Sequence, residues 1–135
     1  MSTNDNLDEI IGNMMDSIPG IQATALVDND GLIIYSKLRD PDTEDDIIGT
    51  VTAVFQNFID RIKMDFGTAE DFINVSRIDD KKFLFAHAGP KATLTILAEI
   101  DTDDSKLKVY GNHVAGKIKL ILEEPEEDID LNIPP

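Results

Sequence analysis

The sequence predicts an α+β domain, a five-stranded antiparallel sheet with helices on both faces. Two observations carry this prediction. Three segments repeat apolar residues at steps of three and four, as helices do, and five shorter segments alternate or are continuously apolar, as strands do. The last three strand-like segments follow one another through turns too short for anything except antiparallel neighbours. With 135 residues, the chain has the length of one domain.

The chain opens with a predicted helix of about eleven residues and a β-hairpin. Asn6 and Glu9 are spaced to form a capping box, and Pro19-Gly20 ends the helix. The period changes to two at residue 21, and Asp28-Asn29-Asp30-Gly31 favours a tight turn into a second strand over 32–36. The apolar stripe of this helix is Leu7, Ile10, Ile11, Met14 and Ile18. One side of the first strand is expected to carry Ile21, Ala23, Ala25 and Val27.

A long middle helix is predicted over about residues 43–65. Asp42 or Thr43 is its candidate cap, acidic residues from 40 to 46 favour the positive end of its dipole, and Gly67 ends it. Its apolar residues fill an arc of about 140°, wider than the roughly 100° stripe that one buried face requires. One flank is therefore expected to meet something besides its own sheet. These residues are Ile47, Ile48, Val51, Val54, Phe55, Phe58, Ile59 and Ile62.

Three strands and a final helix follow. The strands are predicted over 71–77, 82–88 and 92–100, with turns at Asp79-Asp80 and Gly89-Pro90. The third is the most continuously apolar, which predicts a central position in the sheet. Thr102 or Asp101 is expected to cap the last helix, and Pro125 to end it. Its buried stripe is predicted to be Leu107, Tyr110, Gly111, Val114, Ile118 and Ile121.

The two outer strands of this sheet differ. If the last strand is central, the first strand lies beside it, and the second and third strands lie at the edges. The second strand runs into Lys37, Arg39 and Pro41, which discourage further pairing, whereas residues 72–76 contain no proline, lysine or glycine. The third strand is therefore predicted to pair with its own copy, so that the sheet continues across a two-fold axis.

Charge and composition exclude several classes of partner. Twelve basic residues against 27 acidic ones give a net charge of −15, which repels nucleic acids and anionic membrane surfaces alike. Cysteine is absent, so disulfides and thiolate metal sites are excluded. The sequence contains neither a membrane-spanning apolar run nor the basic start of a signal peptide. We expect a cytoplasmic protein that binds neither nucleic acid nor membranes.

Each candidate catalytic or ligand-binding motif lacks a residue type that its chemistry requires. Residues 111–118 match the spacing of a phosphate-binding loop, but Ile118 stands where a magnesium-binding hydroxyl is needed. The turn at 28–31 resembles a calcium loop, but Leu26 and Lys37 stand where carboxylates are required. Neither His87 nor His113 lies in a nucleophile motif. We therefore predict no enzyme activity, no metal and no cofactor.

The whole pattern resembles the Roadblock/dynein light chain family over about residues 7–122. The resemblance rests on Ile18-Pro19-Gly20-Ile21, on the hairpin from Asp28 to Leu32, on the acidic start of the middle helix, on the closing three strands and on Gly111. It implies noncatalytic homodimers or heterodimers with a ten-stranded sheet and paired middle helices. Such proteins bind small Ras-like GTPases as regulators or scaffolds, or bind motor subunits. A Roadblock-like domain over 1–122 is expected, followed by an acidic tail over 123–135.

By this resemblance, the middle helix and third strand form the dimer, with an identical chain or with a paralogous Roadblock protein. The interface is expected to comprise Val51, Val54, Phe55, Phe58, Ile59, Ile62, Phe72, Ile73, Asn74, Val75 and Ser76. The expected surface for a small GTPase is formed by Gln56, Asp60, Arg61 and Lys63. A small-ligand or signal-sensing domain is the alternative, because sheets with helices on both sides can hold pockets.

The tail has a composition typical of disorder. Residues 123–135 carry six acids and no base. They also alternate Ile129, Leu131 and Ile133 with polar residues, which leaves the alternative that the segment adds to a sheet edge or docks on a partner's basic groove.

Overall fold

A computed structural model describes residues 2–39, 42–67, 71–124 and 128–134. Five strands form one antiparallel sheet in the order β2-β1-β5-β4-β3. The predicted fold class is confirmed, including the central last strand and the two edge strands. In chain order the elements are α1 (Thr3–Ser17), β1 (Ile21–Asp28), β2 (Ile33–Leu38), α2 (Asp45–Phe66), β3 (Ile73–Ile78), β4 (Lys81–His87), β5 (Ala92–Glu99) and α3 (Asp104–Glu123).

The two faces of the sheet carry cores of different size. Helices α1 and α3 cover one face, where large side chains such as Leu26, Leu94 and Ile96 are completely buried. Helix α2 covers the other face, where the buried cluster consists mainly of small residues. Because apolar burial contributes stability in proportion to area, most of the hydrophobic stabilisation comes from the α1/α3 side. The buried cluster under α2 comprises Ala23, Ala25, Val27, Ile48 and Leu97.

Helix α2 approaches the hairpin turn closely at Gly49. A Cβ added to Gly49 would lie 2.8 Å from the carbonyl oxygen of Gly31, whereas one added to Gly116 on α3 would meet no atom within 4 Å. We expect Gly49→Ala to lower the free energy of unfolding by about 1–3 kcal/mol, the usual cost of overpacking. Gly116→Ala should instead raise it by up to about 1 kcal/mol through helix propensity. Denaturant titration measures both, and a Gly49→Ala variant as stable as the wild type would contradict the close approach.

The predicted helix caps are wrong. Helix α1 begins earlier than predicted, because Ser2 and Asp5 form the capping box that the sequence predicts at Asn6 and Glu9. Asn6 is buried inside the helix. Helix α2 follows Glu44, which makes no side-chain cap bond, rather than Asp42 or Thr43. Helix α3 is capped by Asp103, whose carboxylate accepts the amide hydrogen of Lys106 at 2.9 Å, and not by Asp101 or Thr102.

Strand β1 contains an irregularity that sequence periodicity missed. The pairing with β5 shifts register between Ile21 and Ala23. The residue inserted there reverses the side on which Ile21 lies, so Ile21 joins the α1/α3 core while Ala23 faces α2. The predicted grouping of Ile21 with Ala23, Ala25 and Val27 is therefore wrong for its first member. Strand β3 begins two residues later than predicted, and Pro41 and Pro125 lie outside the described residues.

A buried lysine fastens the start of α3 to the sheet. Lys82 on β4 is 7% exposed, and its Nζ lies 2.5 Å from the carbonyl oxygen of Thr102 and 2.5 Å from Asp104 Oδ1. The hydrogen bond from this ammonium holds the pKa of Asp104 below its ordinary value of 3.8. The pair therefore contributes stability above that pH, which is lost as the pH falls through the lowered pKa.

This pair predicts a pH dependence of stability. The free energy of unfolding of the wild type should fall between about pH 5 and about pH 3 more steeply than that of Asp104→Asn, which cannot titrate at this position. Denaturant titrations at several pH values measure both slopes. Equal slopes would show that the ion pair does not stabilise the fold.

The C-terminal segment is ordered where it is described. Helix α3 ends at Glu123, and residues 128–134 lie against α1 and α3. This placement differs from the predicted disorder, because Leu131 is buried and half-buried Ile129 and Ile133 pack on the same core. The division of the chain at residue 122 stays a prediction. No described helix is both long enough and apolar enough to cross a bilayer.

Candidate interaction surface

Helix α2 packs polar as well as apolar residues on the sheet and leaves several large apolar residues exposed to solvent. Thr52 Oγ1 lies 2.7 Å from Thr95 Oγ1 on β5, and Gln56 Nε2 donates to Thr93 Oγ1 at 3.1 Å. Nearly opposite, about 160° around the helix at 100° per residue, is a stripe that we call the exposed stripe. It consists of Ile47, Val54 and Phe58, which are 58%, 65% and 60% exposed.

An aromatic cluster joins the exposed stripe to the third strand. The Phe55 ring stacks on Phe85 of β4 with ring centroids 4.2 Å apart and planes inclined by 11°. It also meets Phe72, just ahead of β3, edge-on at 5.5 Å, and Phe58 at 6.2 Å. Stacked and edge-on rings at these separations attract one another beyond simple burial. The cluster makes one continuous apolar surface from α2 to β3.

Strand β3 offers a free row of backbone groups beside this surface. Its only neighbour among the described residues is β4. The carbonyl oxygen of Phe72 accepts from the amide of His87 at 3.0 Å, and antiparallel bonding alternates along a strand. The amides and carbonyls of Ile73, Val75 and Arg77 therefore point away from the sheet. Such an edge is a template for another strand.

The opposite edge is tied to α1. On β2, Tyr35 donates a hydrogen bond to Asp8, and Lys37 Nζ lies 3.1 Å from the same carboxylate oxygen. These contacts, the Tyr35 hydrogen bond first, hold the pKa of Asp8 below its ordinary range. The Arg39 guanidinium just beyond β2 donates to the carbonyl oxygens of Met15 at 2.5 Å and Pro19 at 2.6 Å. Lys37 and Arg39 therefore tie this edge to α1, and their effect on strand pairing stays a prediction.

Comparison with known proteins identifies this architecture. The sequence pattern that defines the Roadblock/LC7 domain matches residues 7–98. The chain belongs to the Roadblock/LC7 domain family. The match confirms the resemblance drawn from the sequence alone. Comparison with curated proteins gives no match.

Solved Roadblock structures share the fold. A structure described as "MglB with tetrameric arrangement" is 19% identical, with a TM-score of 0.81, over 92% of this chain and 93% of that one. The gliding protein MglB from Thermus thermophilus is 16% identical, with a TM-score of 0.78 and the same coverage. A Roadblock/LC7 domain from Streptomyces avermitilis is 18% identical, with a TM-score of 0.73, over 86% and 97% of the two chains. At these identities the likeness shows the fold alone.

The predicted interface residues of this Roadblock chain fall into three groups. Val54, Phe58 and Ile73 are exposed, and Ile59 is buried. Val75 packs its side chain on the α1/α3 core, so only its backbone is available at the edge. Val75 and the remaining members form the half-buried group; the others are Val51, Phe55, Ile62, Phe72, Asn74 and Ser76.

The residues predicted to bind the partner also differ in exposure. Asp60, Arg61 and Lys63 are exposed on the second half of α2, with Arg61 Nε 3.1 Å from Asp65. Gln56 differs, because its amide nitrogen also donates to the carbonyl oxygen of Asp28 at 3.0 Å and so faces the sheet. We therefore leave Gln56 out of the proposed partner surface.

Two exposed residues at the end of α2 were missed by the sequence analysis. Met64 and Phe66 are 78% and 77% exposed. Phe66 lies at nearly the same angle around the helix as buried Ile48, so periodicity alone predicts burial. The signal that could have found it is its position in the last turn, where the sheet no longer covers the helix.

Proposed function

We propose that this Roadblock protein is a non-enzymatic dimer that binds a small Ras-like GTPase and localises or regulates it. The observation that carries the proposal is the exposed stripe of α2 beside the unpaired edge of β3. Family membership supports a protein-interaction role. A cytoplasmic location, and the exclusion of nucleic-acid and membrane partners, stay predictions from charge and composition.

Dimerisation would pair the free edge of β3 and bury the exposed stripe of α2 at the same time. Pairing β3 with its copy would bond the outward amides and carbonyls and extend the sheet to ten strands. The same two-fold axis would bring two α2 helices together through their exposed stripes. Removing each large apolar side chain from water contributes about 1.5–3 kcal/mol, so the stripe offers a substantial driving force. The tetrameric arrangement described for one similar MglB structure supports self-association.

The partner surface is proposed at Asp60, Arg61 and Lys63. These exposed charged residues follow Phe58 on α2, and Asp60 and Lys63 lie about 140–160° around the helix from the exposed stripe, so they stay accessible when the stripes of two chains meet. The net charge of −15 attracts a partner with a basic face and makes its association faster at low salt.

Titration of the pure protein with Ras-like GTPases of its own cell tests this proposal. Binding is expected, and exchanging the charges through Asp60→Lys and Lys63→Asp should weaken it about tenfold or more while the dimer mass stays constant. Lys108→Glu, an exposed charge change on α3, is the matched control and should bind as the wild type does. Failure to bind any of these GTPases, or equal binding by both variants, would contradict the proposal.

The ligand-sensing alternative receives less support. A cavity beside α2 is lined by Gln56, Lys63, Phe72 and His87, where burial lowers the pKa of His87. Its volume is about 150 Å³. Pockets for small molecules usually measure about 300–1,000 Å³ and bury most of the ligand. Two surface cavities reach that size, about 330 Å³ beside Lys119 and about 490 Å³ beside Lys108, but the residues that line them are mostly exposed.

A further inference from the structure

The C-terminal segment occupies a groove on the face of the protein opposite α2. Residues 128–133 alternate in their burial: Asp128, Asp130 and Asn132 face solvent, and the three apolar residues between and after them face the protein. Leu131 is 8% exposed, and Ile129 and Ile133 pack beside it on the core formed by α1 and α3. The segment thus presents three apolar side chains at every second position.

Two polar side chains hold the backbone of this segment, one from each helix. Asn13 Nδ2 on α1 donates to the carbonyl oxygen of Leu131 at 3.0 Å. His113 Nε2 on α3 lies 3.0 Å from the carbonyl oxygen of Asn132, a group that only accepts, so this nitrogen carries the hydrogen. The carbonyls of two successive residues are therefore fixed from opposite walls of the groove.

This combination is the chemistry of extended-peptide recognition. Hydrogen bonds to the backbone fix the register of a bound peptide, and pockets for alternate side chains select its sequence. We infer that the α1/α3 groove is a docking site for an extended peptide with apolar residues at alternate positions, and that the protein's own tail is its displaceable occupant.

The tail should be displaceable because few contacts hold its described residues in the groove. Within the described part of the tail, residues 128–134, one buried leucine, two half-buried isoleucines, half-buried Pro134 and two hydrogen bonds to the helices oppose the entropy of ordering seven residues. Attachment to the same chain compensates, because a short tether presents the tail at an effective concentration of about millimolar. A free peptide at micromolar concentration should therefore fail against the intact protein and bind once the tail is detached.

A fluorescent peptide of residues 124–135 tests the inference by its anisotropy with the full-length protein. At about 10–50 μM protein, the wild type should bind it weakly or not at all, and the Leu131→Asp protein at least tenfold more tightly. Ile133→Asp provides a second way to detach the tail, and circular dichroism confirms that each variant is folded. Folded variants that bind the peptide no better than the wild type does would overturn the inference.

Two controls assign the binding to this groove. A peptide that itself carries Leu131→Asp should not bind the detached protein. Adding Asn13→Ala to the Leu131→Asp protein should weaken binding of the normal peptide about fivefold, the value of one hydrogen bond. Unchanged affinity in either control would mean that the peptide binds elsewhere. Because the groove lies on the opposite face from α2, none of these results depends on the proposed dimer.

Discussion

Phe58→Asp is expected to reduce the mass of the protein in solution from that of two chains to that of one. Phe58 is 60% exposed and belongs to the exposed stripe of α2, so in the proposed dimer it becomes buried between two helices. A carboxylate there would lose its water without gaining a partner, which costs several kcal/mol. Since each 1.4 kcal/mol is a tenfold change, we expect self-association to weaken about a hundredfold or more. Light scattering at tens of micromolar measures the mass.

A matched substitution separates the interface from general surface effects. Val109 on α3 is 57% exposed, almost the same as Phe58, but lies on the opposite face of the sheet. Val109→Asp should leave the two-chain mass unchanged. Both variants should melt as folded proteins, because neither side chain belongs to a buried core. A folded Phe58→Asp protein that keeps the mass of two chains would contradict the proposed interface.

Lys82→Ala is expected to lower the free energy of unfolding by about 3 kcal/mol. Breaking a buried ion pair usually costs about 3–5 kcal/mol, and orphaning a buried acceptor about 1–3 kcal/mol. The carboxylate left behind, Asp104, is 53% exposed and regains contact with water. We therefore expect a cost of about 3 kcal/mol, the low end of the ion-pair range and the high end of the acceptor range. The carbonyl of Thr102 loses its lysine donor, and the alkyl stem of Lys82 leaves a void.

Denaturant titration measures this loss against a control on the surface. Lys108 on α3 is exposed, and Lys108→Ala should change the free energy of unfolding by no more than about 0.5 kcal/mol. If Lys82→Ala were as stable as Lys108→Ala, the buried lysine would have no role in fastening α3 to the sheet.

Periodicity predicted the sheet and failed at its details for physical reasons. The continuous apolar run of β5 indicated its central position, because only a strand covered on both faces is apolar throughout. The helix caps were harder, since Ser2 and Asn6 offer competing capping boxes and one cap is worth only about 1 kcal/mol. A longer α1 won. The irregularity at Ile21 has no local sequence signal, and it alone reverses the side on which that residue lies.

The interaction surface was partly visible in the sequence. The width of the apolar arc on α2 correctly indicated a spare flank, but it could not show that Gln56 turns inward, because that depends on hydrogen bonds to Asp28 and Thr93 from other strands. The tail shows the same limit. Its alternation was evident, yet the groove that receives it exists only after folding brings Asn13 and His113 together.

Amide hydrogen exchange along β3 tests the central claim most directly. The amides of Ile73, Val75 and Arg77 point away from β4, and within the described ranges of a single chain no strand lies beside them to accept their hydrogen bonds. If the sheet continues into a second copy, these three amides should exchange as slowly as those of the inner strands, and faster as the protein is diluted to monomer. Exchange at the rate of an unstructured peptide, in a concentrated sample whose other strands are protected, would contradict the account.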